Sequence, residues 1–74
     1  MTKVYGTSSC GVCNNLKAYL MSLGVEFEAV DIYDDKDARD EILNQGFRKI
    51  PVVRIGDKYL SGHNNNEVKK ELGL

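Results

Sequence analysis

The two cysteines of this chain, Cys10 and Cys13, stand with two residues between them in the stretch TSSCGVCNNL. That spacing suits three chemistries: a covalent staple, a soft-metal site, or disulfide exchange. The staple is the weakest. Closing a four-residue ring stabilises a fold by roughly 2 kcal/mol in the chain-entropy model, against about 3 kcal/mol for a 15-residue loop. Two cysteines are also too few for a disulfide-built scaffold. A zinc site normally takes four protein ligands if structural and three if catalytic. The only histidine, His63, lies fifty residues beyond Cys13. A soft-metal or iron–sulfur carrier using Cys10 and Cys13 stays open as the alternative to exchange.

The elements that must position the pair favour exchange. Residues 2–6, TKVYG, are β-prone and stopped by Gly6. Ser8 or Ser9 is then expected to cap a helix from about Gly11 to Leu23. Its Leu16, Tyr19, Leu20 and Leu23 recur at i, i+3, i+4 and i+7, and Gly24 stands where a helix ends. Cys10 therefore falls at a helix start, where unpaired N–H groups and the positive end of the helix dipole favour a thiolate. Helix-terminal CxxC motifs bring a thiol pKa from about 8.5 toward ~7 or lower. Cys13 is on the same helical face, pointing back toward Cys10, and is expected to be the more buried sulfur. The pair reads as nucleophile and resolving thiol.

The remaining pattern sets the fold. VEFEAVDIY, residues 25–33, is β-rich, but its apolar alternation changes parity between Val25/Phe27 and Val30/Ile32. The strand should begin near Phe27 or carry a bulge. Asp34 and Asp35 open a second helix, with Asp37 in its first turn, Ala38 and Ile42 on one face, Leu43 beside them, and Gly46 at its end. PVVRI at 51–55 and KYLSG at 58–62 flank a Gly56-Asp57 turn and read as a hairpin. Asn64 with Glu67 opens a last helix whose Val68 and Leu72 face inward. The order β-α-β-α-β-β-α predicts an α/β fold, with the first two strands parallel and helices on both faces of a four-stranded mixed sheet. A small copper-carrier domain would run β-α-β-β-α-β, so element order speaks against metal carriage. Tyr5, Tyr19, Tyr33, Tyr59 and Met21 are read as packing residues.

Composition excludes other classes. A net charge of −1 argues against nucleic acid, which needs a basic surface. No apolar run approaches the ~20 residues that span a bilayer, and MTKVYG does not read as a signal peptide. A cytoplasmic, monomeric, single-domain protein over residues 1–74 is expected, with no membrane or nucleic-acid partner. There is no Gly-rich phosphate loop, no pair of catalytic carboxylates and no Ser/His/Asp arrangement.

With CxxC at a helix start and IPVV ahead of a hairpin, the sequence resembles the thioredoxin superfamily, and within it the glutaredoxin family. VYGTSSCGVC, GVEFEAVDI, QGFRKIPVV and YLSGH fall in the family's order and spacing over essentially the whole chain. QGFRKIPVV followed by SG looks closest to the NrdH-type glutaredoxin-like redoxins. The resemblance implies a thioredoxin-like, three-layer α/β/α fold and an oxidoreductase that reduces protein disulfides, ribonucleotide reductase among them. It implies no bound cofactor, with glutathione as a candidate co-substrate and glutathione or thioredoxin reductase as the source of electrons. It also implies a cis Ile50–Pro51 peptide opposite Cys10, with Ile50 offering its backbone to a substrate strand.

The substrate- or glutathione-binding candidates carried over are Thr7, Gly11 and Val12 around the cysteines, Arg48, Lys49, Ile50 and Pro51 before the hairpin, and Gly62, His63 and Asn64 after it. Three of these depart from the family pattern. Thr7 stands where glutaredoxins usually carry the lysine or arginine that holds glutathione's carboxylate. Asn64 and Asn65 stand where an acidic pair is usual, and His63-Asn64-Asn65 replaces the aromatic-arginine-proline of the NrdH type. Asparagine bonds without charge, and charge-assisted bonds are roughly twice as strong as neutral ones. Arg48 and Lys49 are the remaining basic groups that can serve a carboxylate.

Overall fold

Alternation along the first strand, β1 (Thr2–Gly6), sends Val4 and Tyr5 to opposite faces, and the fold is divided along that line. In the computed structural model, which describes residues 1–74, three further strands join β1. They are β2 (Glu28–Asp31), β3 (Val52–Ile55) and β4 (Lys58–Ser61), in the sheet order β2-β1-β3-β4. β1 and β2 are parallel, while β1–β3 and β3–β4 are antiparallel. On one face Val4 and Val53 pack with Leu16 and Leu20 of α1 (Gly11–Ser22) and Val68 of α3 (Asn65–Glu71). On the other, Tyr5 and Val52 pack with Ala38 and Ile42 of α2 (Lys36–Asn44). The result is the α/β/α layering expected from the element order.

The parity change before β2 has a plain cause. Val25 and Phe27 pack against the α1/α3 core, whereas Val30 and Ile32 pack against the α2 core. Each pair serves a different layer, so no bulge is needed, and Lys3 to Gly6 pair in unbroken register with Glu28 to Asp31. Gly24 and Gly46, with φ of 73° and 89°, close α1 and α2 in the left-handed region that favours glycine. The Asp35 side chain caps α2 by accepting from the Ala38 N–H at 3.0 Å, and Asn64 caps α3 by accepting from the Glu67 N–H at 3.2 Å.

Three sequence readings are corrected. The cap of α1 is neither Ser8 nor Ser9 but Cys10. Tyr33 is 84 % exposed and Met21 69 % exposed, so neither is a packing residue. Leu43, beside the buried Ala38 and Ile42 in α2, is exposed. No helix is long and apolar enough to cross a membrane.

Candidate active site

The chain leaves β1 at Gly6, turns through Thr7 to Ser9, and enters α1 at Gly11. The turn closes with the Cys10 N–H donating to the Thr7 carbonyl at 3.3 Å. Cys10 takes the N-cap position with extended backbone, and its sulfur accepts from the Cys13 N–H at 3.1 Å. In most helices a serine, threonine or asparagine oxygen fills this role. Here the Cys10 sulfur satisfies a helix donor, and that donor stabilises the sulfur's negative form.

The two sulfurs have opposite surroundings. Cys10 is half-buried and Cys13 is completely buried. The Cys10 pKa is pulled below its ordinary value, chiefly because the Cys13 thiol donates a hydrogen bond to it. The N–H groups of Cys13 and Val12 and the positive Lys17 add to this, against some opposition from burial. Burial pushes the Cys13 thiol up to about 11, reinforced by its role as donor to Cys10 and by the adjacent Cys10 charge. Of the two, Cys13 is the sulfur that keeps its proton and Cys10 the one more disposed to lose it.

Gly6 makes room for the buried sulfur. A Cβ at this position would stand 2.6 Å from the Cys13 Sγ, closer than side-chain carbons approach their neighbours. The register Tyr5↔Val52 sets Pro51 beside Gly6, so the start of β3 arrives next to the cysteines. The Ile50–Pro51 peptide is cis. Pro51 is fixed by the Gly62 N–H, which donates to its carbonyl at 2.8 Å. Gly62 is itself wedged where a Cβ would meet Leu16 and Pro51 at 2.7 Å. Leu16 of α1, Pro51 and Gly62 thus form one packed unit beneath the site.

The other sequence candidates lie around this unit. Thr7 is half-buried in the turn, while Gly11 and Val12 are exposed on the first turn of α1. Arg48 and Lys49 are exposed on the loop leading to Ile50 and form no ion pair within the chain. His63 is exposed, and its Nε2 meets the Ile50 carbonyl at 2.8 Å. The Asn64 side-chain oxygen is committed to capping α3, which leaves only its amide N–H groups for a ligand.

Two residues were missed by sequence reasoning. Gly6 was taken only as a strand stop; its need for open space became visible once the Cys13 sulfur was placed. Lys17 carries a signal that was available, since it lies four residues after Cys13 on the same helical face. It lines a small cleft with Gly6, Thr7 and Asp31, forms no ion pair, and its charge lowers the pKa of both sulfurs.

None of the surface depressions is lined by Cys10 or Cys13. The nearest along the chain, about 310 Å³, is bounded by Thr7, Ser8, Ser9, Asp31, Tyr33 and Asp34. No group of three or more His, Cys, Asp or Glu side chains is arranged to hold a metal ion.

The glutaredoxin family model matches residues 2–60. A glutaredoxin-like 8.6 kDa protein of the rubredoxin operon of Clostridium pasteurianum is 32 % identical over 71 residues, covering 95 % of each chain. The glutaredoxin-like protein NrdH of Salmonella typhimurium is 41 % identical over 59 residues, covering 80 % of this chain and 73 % of its own. Among solved structures, the NrdH-redoxin of Escherichia coli superposes with a TM-score of 0.86 at 28 % identity, covering 93 % of this chain and 91 % of its own. The thioredoxin-like fold is shared.

Proposed function

This chain belongs to the glutaredoxin family of thiol–disulfide oxidoreductases, and on that premise we propose that it reduces protein disulfides with Cys10 as nucleophile and Cys13 as resolving thiol. The observation that carries the reading is the inequality of the sulfurs. One is accessible and held toward the thiolate; the other is buried and holds its proton. The thiolate is the attacking species in exchange.

Two steps follow. Cys10 attacks one substrate sulfur, forming a Cys10–substrate disulfide, while the other substrate sulfur leaves as a thiolate and takes a proton. Cys13 then loses its proton and attacks the Cys10 sulfur, and the second substrate thiol departs. Two electrons have moved from the thiolate–thiol pair to the substrate, with one proton supplied by Cys13 and one by solvent, and a Cys10–Cys13 disulfide remains. The first step prepares the second. Once Cys10 is bound to substrate it carries no charge, so the repulsion and the donated hydrogen bond that hold the Cys13 proton are lost.

Proteins are the proposed substrates because the site is open surface rather than a cavity of the kind that encloses a small ligand. Similarity to NrdH proteins supports ribonucleotide reductase as the acceptor. For re-reduction, thioredoxin reductase is favoured over glutathione. Thr7 lacks a charge for glutathione's carboxylate, and Asn64 spends its oxygen on the cap of α3. The E. coli NrdH-redoxin is described as having a thioredoxin-like activity profile. Arg48 and Lys49 supply the remaining positive charge for either partner. The chemistry needs no bound cofactor, and the cytoplasm is the compartment that keeps such a pair reduced.

A Cys13→Ser variant mixed with a disulfide substrate should accumulate a covalent adduct through Cys10. The absence of any adduct would overturn the assignment. NADPH oxidation should be faster with thioredoxin reductase than with glutathione and glutathione reductase; the reverse ranking would reassign the electron donor.

A further inference from the structure

The main chain at Ile50 carries one open and one covered hydrogen-bonding group. Its N–H makes no hydrogen bond within the chain, whereas its carbonyl accepts from the His63 Nε2–H at 2.8 Å. A carbonyl oxygen only accepts, so Nε2 bears the proton. Ile50 directly precedes Pro51, which the sheet register sets beside Gly6 and hence beside the Cys13 sulfur. On the function proposed above, that free backbone donor would be available to an extended chain whose disulfide approaches Cys10.

His63 reaches Ile50 because its own backbone is anchored there. Gly62 donates to the Pro51 carbonyl at 2.8 Å, and the His63 N–H donates to the Ser61 Oγ at 3.3 Å. The imidazole itself has no second partner and lies exposed, free to turn away. An extended chain beside Ile50 would accept from its N–H and donate an amide of its own to its carbonyl. The first group is open and the second is occupied.

We propose that His63 is a specificity-determining residue that covers the Ile50 carbonyl, so that an incoming chain gains little from donating its own amide there. This rests on the disulfide-reducing function proposed above. When a substrate amide displaces the imidazole, one hydrogen bond replaces another and the net gain is small. The consequence is tolerance. Disulfides flanked by a residue with no N–H at the pairing position, such as proline, bind nearly as well as those that have one.

The test uses single turnovers of the reduced protein with a short peptide disulfide and with copies N-methylated in turn at each amide within two residues of the disulfide. In the wild type, methylation at every position should change half-saturation less than about twofold. His63→Phe keeps a ring without a donor, and His63→Ala removes the side chain. Both should bind the unmethylated peptide about two- to tenfold more tightly, and methylation at one position should abolish that gain. His63→Gln, which restores an N–H donor, should return to the wild-type pattern. The change should fall on half-saturation rather than on the rate at saturation. 2-Hydroxyethyl disulfide, which has no amide, should show the same half-saturation with every variant. Unchanged half-saturation in His63→Phe, or equal weakening toward methylated and unmethylated peptides, would overturn the proposal. Absence of turnover of any disulfide, wild type included, would instead overturn the parent function and this inference with it.

Discussion

Two acids in this chain, the Cys10 thiol at the start of α1 and the Glu41 carboxyl on α2, are both held toward their negative form by donated hydrogen bonds, Glu41 within a closed cluster and Cys10 at an open surface. Glu41 gathers three donors on one oxygen: the Tyr5 hydroxyl at 2.9 Å, the Arg54 Nη1 at 3.0 Å, and the Tyr59 hydroxyl. Its pKa falls, chiefly through the Tyr59 hydroxyl, aided by Tyr5, Arg54 and Lys3 and opposed by burial. Burial is also the main reason that the Tyr5 phenol is raised to about 12, so it stays a donor at any ordinary pH. This cluster is closed, each partner facing another, and it clips α2 to the sheet. Around Cys10 the polar groups are left open. The sulfur is half-exposed, Lys17 has no ion pair, and the Ile50 N–H has no acceptor. Satisfied polarity holds this fold together, while unsatisfied polarity near a solvent-facing sulfur is available for chemistry.

Substitutions can break that contrast. Cys10→Ser should lower disulfide reduction by at least about a thousandfold, as expected when a covalent nucleophile is removed. Its thermal midpoint should barely move, because a serine hydroxyl caps a helix well. A large fall in the midpoint would mean that the sulfur is structural after all. Gly6→Ala drives a methyl group into the Cys13 sulfur and should cost about 1–3 kcal/mol by overpacking. Denaturant unfolding would read that loss, and resolution of the mixed disulfide should slow alongside it.

Glu41→Ala is the mirror experiment. It leaves the buried Tyr5 hydroxyl without its acceptor and should cost about 1–3 kcal/mol of stability, while turnover per folded molecule at 25 °C stays at the wild-type level. The pH dependence has a definite sign. Because the folded pKa of Glu41 lies below its ordinary 4.5, its contribution is complete above pH 4.5 and disappears as pH falls through the folded value. The stability gap between wild type and Glu41→Ala should therefore narrow as pH falls.

A gentler test concerns the sulfurs themselves. The rate of Cys10 alkylation by iodoacetamide should reach half its plateau below the pH at which an ordinary thiol titrates. Cys13→Ala removes the strongest donor to Cys10 and should move that midpoint upward. Lys17→Gln should move it the same way by a smaller amount, since its charge is the last of the favourable contributions. An unmoved midpoint in both variants would assign the shift to the backbone N–H groups alone.

Much of this was legible in the chain because it depends on local order. Gly24 and Gly46 mark helix ends, Ala38 and Ile42 recur on one face of α2, and CxxC at a helix start carries its electrostatics with it. The errors arose where placement depends on distant contacts. Tyr33 and Met21 are apolar enough for a core, but the turn and the outer face of α1 leave them in solvent. Ser8 and Ser9 are ordinary caps by type, yet the turn delivers Cys10 to the capping position instead. The Glu41 cluster was not foreseen, since its four side chains come from β1, α2, β3 and β4.

The sequence by itself determined the element order, the parallel pairing of β1 with β2, and the placement of two sulfurs at a helix start, because these follow from periodicity, chain connectivity and the helix dipole. Only the tertiary structure decided how unequal the sulfurs are and what surrounds them. The antiparallel register that brings Pro51 beside Gly6, the burial that protects the Cys13 proton, and the reach of His63 to the Ile50 carbonyl all join residues from different parts of the chain. No local preference fixes such contacts; packing of the two layers against the sheet does.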